Sequence, residues 1–223
     1  MTAPIDLERV ALLTIDIQND TLDGGPLEVP GTSAMVPNVA ALCRAFRSLE
    51  RPIVHVVRLY LPDGSNAEAC RQELVTGPTP ILRPGTPGRA LAPGVLDEGT
   101  PDLDDELLLG GGIHQVAAGE VVMYKPRWGA FFGTPLEEHL CSLHVSSLVV
   151  AGCNFANCPR TSIYEASERD FEVMVADDAI SGLYDRGRDE LKNIGVTFAP
   201  TAFIVRWLRA REPADALEGQ QQS

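Results

Sequence analysis

The chain has 223 residues, with 18 Lys+Arg against 31 Asp+Glu and a formal net charge of −13. At 44% apolar and 22% charged residues, it has the composition of a folded globular protein and is too apolar for a disordered one. The acidic balance excludes a surface built to hold nucleic acid or an anionic membrane, and the length suffices to bury a core without disulfides or metals.

In chain order, residues 10–15 form an apolar run that predicts a strand ending at Asp16. Residues 36–49 place Val39, Leu42, Cys43, Phe46 and Leu49 on one helical stripe. A second strand is predicted over 53–59. The stretch 77–101 is dense in proline and glycine and predicts a long loop. It runs into 97–106, where six carboxylates in ten residues predict a solvated excursion. Strands follow over 121–124, ending at Lys125, over 148–151, ending at Gly152, and over 173–176, ending at Asp177. Helices are predicted over 135–143, with Thr134 as N-cap, and over 159–169, 186–194 and 201–211. A polar tail, 212–223, is expected to fray.

The strand runs are nearly continuous rather than alternating, the pattern of strands buried on both faces of a parallel sheet. Strands alternating with helices predict an α/β fold in one domain spanning 1–223. No basic and apolar leader opens the chain, no run reaches the ~18 residues of a membrane span, and the five cysteines include no CxxC pair. These features predict a soluble, reduced, cytoplasmic protein without membrane or nucleic-acid partners.

Ligands of open α/β sheets bind beyond the carboxyl ends of the strands. There the sequence places Asp16, Arg58 to Tyr60, Lys125, the loop leading from Gly152 through Cys153, Asn154 and Phe155 to Cys158, and Asp177-Asp178, which read as caps. Cys158 precedes Pro159 at a predicted helix start, where the helix dipole favours thiolate; the alternative is a buried core thiol. Asp16 reads as a functional carboxylate or as a turn residue, and Lys125 as a functional ammonium or as a solvated strand end. Between 126 and 135 lie three aromatics and two glycines, a pattern that suits a pocket wall and makes Arg127, Trp128 and Phe131 pocket candidates.

Three segments, Leu13-Thr14-Ile15-Asp16-Ile17-Gln18, Tyr124-Lys125-Pro126-Arg127 with Phe131-Phe132-Gly133-Thr134, and Gly152 followed six residues on by Cys158, occur in this order at strand ends. Together they resemble the isochorismatase-like cysteine hydrolases, which include nicotinamidases and N-carbamoylsarcosine, ureidoacrylate and biuret hydrolases. The resemblance covers about residues 8–210. It implies a three-layer α-β-α fold around a six-stranded parallel sheet of order 3-2-1-4-5-6. It also implies a catalytic triad of Asp16, Lys125 and Cys158. The Cys153–Asn154 peptide would be cis and turn the Asn154 N–H toward the substrate oxygen, and the N–H of Cys158 would complete the oxyanion hole. A homo-oligomer, dimer or tetramer, is implied as well.

The chain departs from the family loop by placing Phe155 where Thr is common and Pro159 after the cysteine. Gln18 and Phe155 join the pocket candidates, and the segment 77–112 is a candidate lid. Arg58, Arg127 and Arg160 are candidates for pairing with a substrate carboxylate, or for ion pairs within the protein. Nicotinamidases hold a metal with Asp-x-His and a further His. This chain has no Asp-x-His among His55, His114, His139 and His144, so no metal and no other cofactor is expected. The reaction implied is hydrolysis of a small amide or N-carbamoyl compound through a thioester. The alternatives are vinyl-ether hydrolysis of the isochorismatase type and a non-catalytic binding protein. A dinucleotide-binding protein is disfavoured, because no GxGxxG follows the first strand and the acidic Asp16–Asp20 segment would repel a pyrophosphate.

Overall fold

A computed structural model describes residues 5–210. The strands are β1 (Val10–Ile15), β2 (Ile53–Val57), β3 (Ile113–Ala117), β4 (Glu120–Tyr124), β5 (Ser147–Gly152), β6 (Glu172–Ile180) and β7 (Thr197–Ala199). The helices are α1 (Thr32–Ser48), α2 (Gln72–Val75), α3 (Asp105–Leu109), α4 (Leu136–Ser142), α5 (Cys158–Ser167), α6 (Asp185–Lys192) and α7 (Thr201–Arg209). The expectation for the tail 212–223, and the last residue of the final predicted helix, lie outside the described residues.

The strands form one sheet of order β3-β4-β2-β1-β5-β6-β7. All pairings are parallel except β3 with β4. The expected six-stranded sheet is therefore corrected to seven strands. Its parallel part keeps the expected order, and an antiparallel strand is added at one edge. That strand returns through a hairpin in which Ala117 pairs with Glu120 and Gly119 adopts φ 68°, a left-handed conformation that glycine enters without a Cβ penalty.

Why β1 is apolar but for Thr14 follows from its central place. Val10 and Leu12 face one layer, with Leu42 and Phe46 of α1. Ala11, Leu13 and Ile15 face the other, with Leu140 of α4 and Ile163 of α5. Successive side chains of a strand point to opposite faces, so a strand covered on both sides takes a polar side chain only where a buried partner meets it, as His55 meets Thr14.

One polar chain crosses this core. His55 of β2 is fully buried between Thr14 Oγ1 at 2.7 Å and Glu120 Oε1 at 2.7 Å. Arg47 of α1 closes on the same carboxylate from the other side at 2.6 Å. A carboxylate only accepts, so His55 Nε2 carries the proton and Nδ1 accepts from the Thr14 hydroxyl.

The segment 77–112 is not a free loop. Ala92 N–H donates to the Ile17 carbonyl and Asn19 N–H to Ala90, both at 2.9 Å. Asp20 Oδ2 accepts from Leu82 N–H at 2.6 Å. A Cβ at Gly88 would lie 2.0 Å from Asp20 Oδ1, so glycine is required where the two segments meet. The acidic run is solvated as its composition implies, with every carboxylate but Asp105 exposed, yet it is tied to the body of the protein. Arg89 holds Asp102 and Asp105 at 2.9 and 2.6 Å, Arg47 holds Asp97, and Asp104 caps α3 by accepting from Leu107 N–H.

Candidate active site

The register of the two central strands creates the site. Ile15 of β1 pairs with Gly152 of β5, so the residues that follow, Asp16 and Cys153, emerge side by side at the carboxyl ends. Here the sheet order reverses direction, the point where a crevice opens in such folds. Cys153 N–H donates to the Ile15 carbonyl at 3.0 Å, and its thiol lies 3.0 Å from the Asp16 carbonyl. The Cys153–Asn154 peptide is cis. Asp16 adopts φ 54°, while its N–H still bonds the Val56 carbonyl at 2.9 Å.

Lys125 extends β4, with its N–H on the Val57 carbonyl at 3.0 Å, and its side chain is fully buried. Its ammonium lies 2.9 Å from Asp16 Oδ2, 3.3 Å from Cys158 Sγ and 3.2 Å from the Arg127 carbonyl. The structure thus brings Asp16, Lys125 and Cys158 together. Burial lowers the affinity of the Lys125 amine for its proton, but Asp16 and Cys158 outweigh this and raise its pKa overall. The group is an ammonium at neutral pH.

Cys158 stands at the N-terminus of α5, as its spacing predicts. The helix dipole is not the largest influence on its sulfur: burial first, and then Asp16, push the Cys158 thiol up to about 12, against the pull of Lys125.

These groups open into a cavity of about 150 Å³. Asp16, Cys153, Asn154 and Cys158 line it on the sheet side, and Arg58, Tyr60, Arg71, Leu82 and Trp128 on the other. Asp16 Oδ1 and Asn154 Oδ1 are buried without a hydrogen-bond partner among the described residues.

Trp128 is the pocket candidate that the structure places on the cavity. The others are corrected. Gln18 is wholly buried and its amide is spent on the backbone of Arg58 and Arg89. Arg127 is exposed, its guanidinium on the carbonyls of Asn66 and Pro126. Phe131 packs in the core against Phe171. Phe155 is fully buried edge-on against Tyr184.

Of the arginines weighed for a carboxylate, Arg58 lines the cavity but is committed to Glu68 at 2.6 Å and to the Lys125 carbonyl at 2.7 Å. Arg160 pairs with Glu190 and Tyr184, away from the cavity. Of the cavity residues, Tyr60 is marked in the sequence only by its place after the second strand. Arg71 and Leu82 escaped sequence reasoning, because they sit in segments with no strand or helix periodicity.

The residues present do not fit a metal of the kind nicotinamidases carry. His55 is spent on Thr14 and Glu120, and His114 Nδ1 accepts from Asp104 N–H. Among the described residues, no group of three or more His, Cys, Asp or Glu is placed to hold a metal ion. Nor is any described helix long and apolar enough to cross a membrane.

Comparison with known proteins places this geometry. The family described as "Isochorismatase domain" matches residues 10–199. A maleamate amidohydrolase of Pseudomonas putida is 31% identical over 177 residues, covering 77% of this chain and 72% of that one. A "probable inactive nicotinamidase" of Arabidopsis thaliana is 29% identical over 196 residues, covering 84% and 90%. Among solved structures, an isochorismatase family protein from Desulfovibrio vulgaris superposes with a TM-score of 0.76 at 30% identity, covering 90% of this chain and 98% of that one. The chain belongs to the isochorismatase family of hydrolases. Within it, the chain is related to amidohydrolases and nicotinamidases.

Proposed function

We propose that the protein is a cysteine amidohydrolase that cleaves the C–N bond of a small amide or N-carbamoyl compound without a metal. The Arabidopsis relative carries the description "probable inactive nicotinamidase", so kinship by itself does not carry activity. What carries this reading is the Lys125 ammonium held at once against Asp16 and Cys158, 2.9 and 3.3 Å away, at the wall of a small cavity.

In this reading Asp16 takes the proton of the Cys158 thiol as sulfur attacks the carbonyl carbon. The high thiol pKa makes this transfer part of the attack rather than a prior ionisation. Lys125 balances the charge, which passes from carboxylate to sulfur to oxyanion. The N–H groups of Asn154 and Cys158 receive the oxyanion. When the C–N bond breaks, Asp16 returns its proton to the departing nitrogen, leaving a thioester. Water then gives a proton to Asp16, attacks the thioester and releases the acid, and the proton passes back to sulfur. Assembly into a homo-oligomer belongs to the same proposal and is read by light scattering.

A panel of small amides tests the reaction. Ammonia or amine should appear in equal amount to acid, and a quenched reaction should carry an acyl adduct on Cys158 by mass spectrometry. Cys158→Ala should abolish turnover, and Asp16→Asn should reduce it by orders of magnitude. Full turnover by Cys158→Ala sinks the nucleophile assignment.

A further inference from the structure

Of the charged groups that line the cavity, Arg71 and Glu28 have no oppositely charged partner among the described residues. Asp16 is held by Lys125 at 2.9 Å, and Arg58 by Glu68 at 2.6 Å. Arg71 lines the same cavity and has no carboxylate partner among the described residues. Its guanidinium lies over the Trp128 ring, 4.7 Å from the centroid, and Nη1 donates to the Tyr60 hydroxyl at 3.2 Å. That hydroxyl donates in turn to Glu68 Oε2 at 3.3 Å. One N–H is thereby spent on orientation, the ring face fixes the plane, and the remaining donors of the fork are left for a planar acceptor. The other unpaired charge on the cavity, Glu28, is exposed to water and weakly felt there.

We propose that Arg71 is the subsite for a carboxylate on the substrate, so that the protein acts on small amides bearing an anionic end. This deepens the amidohydrolase reading and rests on it for the position of the scissile bond. A guanidinium stacked on an aromatic face and steered by a buried tyrosine is pre-organised for two parallel N–H···O bonds. The cavity, at about 150 Å³, admits a short acid amide rather than a peptide. Arg71 is in this role a binding residue: it selects the substrate and takes no part in bond breaking.

Two measurements separate this proposal from the reaction it rests on. The first compares the monoamide of butanedioic acid with the neutral diamide. Wild type should favour the monoamide in kcat/KM by about 10- to 100-fold, the range of a charge-assisted hydrogen-bonded pair. Arg71→Gln should erase that ratio through KM, and Arg71→Lys should restore part of it. A wild-type preference for the diamide, or an unchanged ratio in Arg71→Gln, overturns the proposal. The second uses the Cys158→Ala protein and butanedioate itself, read by calorimetry. Binding should weaken about tenfold or more when Arg71→Gln is added. Equal binding by both proteins, or none by either, overturns the subsite. If Arg71-dependent binding is found while no amide is cleaved, the subsite stands and the amidohydrolase reading falls.

Discussion

Gly152 lies against Ile15 so closely that a Cβ on it would meet the Ile15 carbonyl oxygen at 2.4 Å. The two residues pair across β5 and β1, and Gly152 takes φ 148°. This close approach lets the chain turn from β5 into the loop that carries Cys158 while staying beside Asp16. Gly152→Ala should cost about 1–3 kcal/mol, as overpacking in a filled core does. It should also lower kcat more than it raises KM. Urea denaturation and steady-state kinetics check both; an alanine variant of wild-type stability removes the argument.

The order of cysteine alkylation follows from burial. Cys70 and Cys141 are exposed, and Cys43, Cys153 and Cys158 buried. Because the Cys158 thiol sits at about 12, the helix dipole alone does not make it the first to react. Iodoacetamide at neutral pH should modify Cys70 and Cys141 before Cys158 in the substrate-free protein, read by peptide mass mapping. Preferential labelling of Cys158 would mean that the resting sulfur is a thiolate.

Acid should weaken the protein through the His55 chain. Burial lowers the His55 pKa below its ordinary 6.5, and Glu120 recovers only part of this. An unfolded chain therefore binds a proton near 6.5 that the folded chain refuses, and stability falls as pH drops below that value. For Glu120, burial would raise the pKa, but the bonds from Arg47 and His55 overcome it and hold the group at about 2 instead of 4.5. A second loss therefore runs from 4.5 down to about 2. His55→Gln, which cannot titrate, should show a flatter stability between pH 7 and 5 than wild type in urea midpoints. Parallel curves would remove His55 as the cause.

Phe155 is a packing residue. A Cβ on Gly187 would lie 2.4 Å from its ring, and Tyr184 meets it edge-on at 5.3 Å. Phe155→Ala should cost about 3–5 kcal/mol while leaving KM close to wild type. A variant that keeps its stability and changes only KM would return Phe155 to the pocket wall.

Chelation supplies a further check. Prolonged dialysis against a strong chelator should leave amide hydrolysis intact, because His55 and His114 are committed to protein partners. Loss of activity that zinc or iron restores would show that those partners yield to a metal.

The sequence by itself determined the parallel sheet and the three side chains at its rim. A strand covered on both faces is apolar at nearly every position, so the apolar runs of β1, β4 and β5 are legible, and the residues that follow each run fall at the crevice. Asp16, Lys125 and the loop to Cys158 follow from that rule, and the family resemblance joins them. The short edge strands β3 and β7 were missed because a half-covered or three-residue strand leaves no such run. The tertiary structure alone decided the cavity wall and the charge state of the sulfur. Arg71, Tyr60 and Trp128 meet only when segments distant in the chain pack together. Phe155 looks like a pocket residue in the sequence because nothing local shows that Gly187 leaves room for its ring. The Cys158 pKa depends on desolvation and on a carboxylate 142 residues earlier in the chain, and such long-range terms exist only once the fold has brought the groups together.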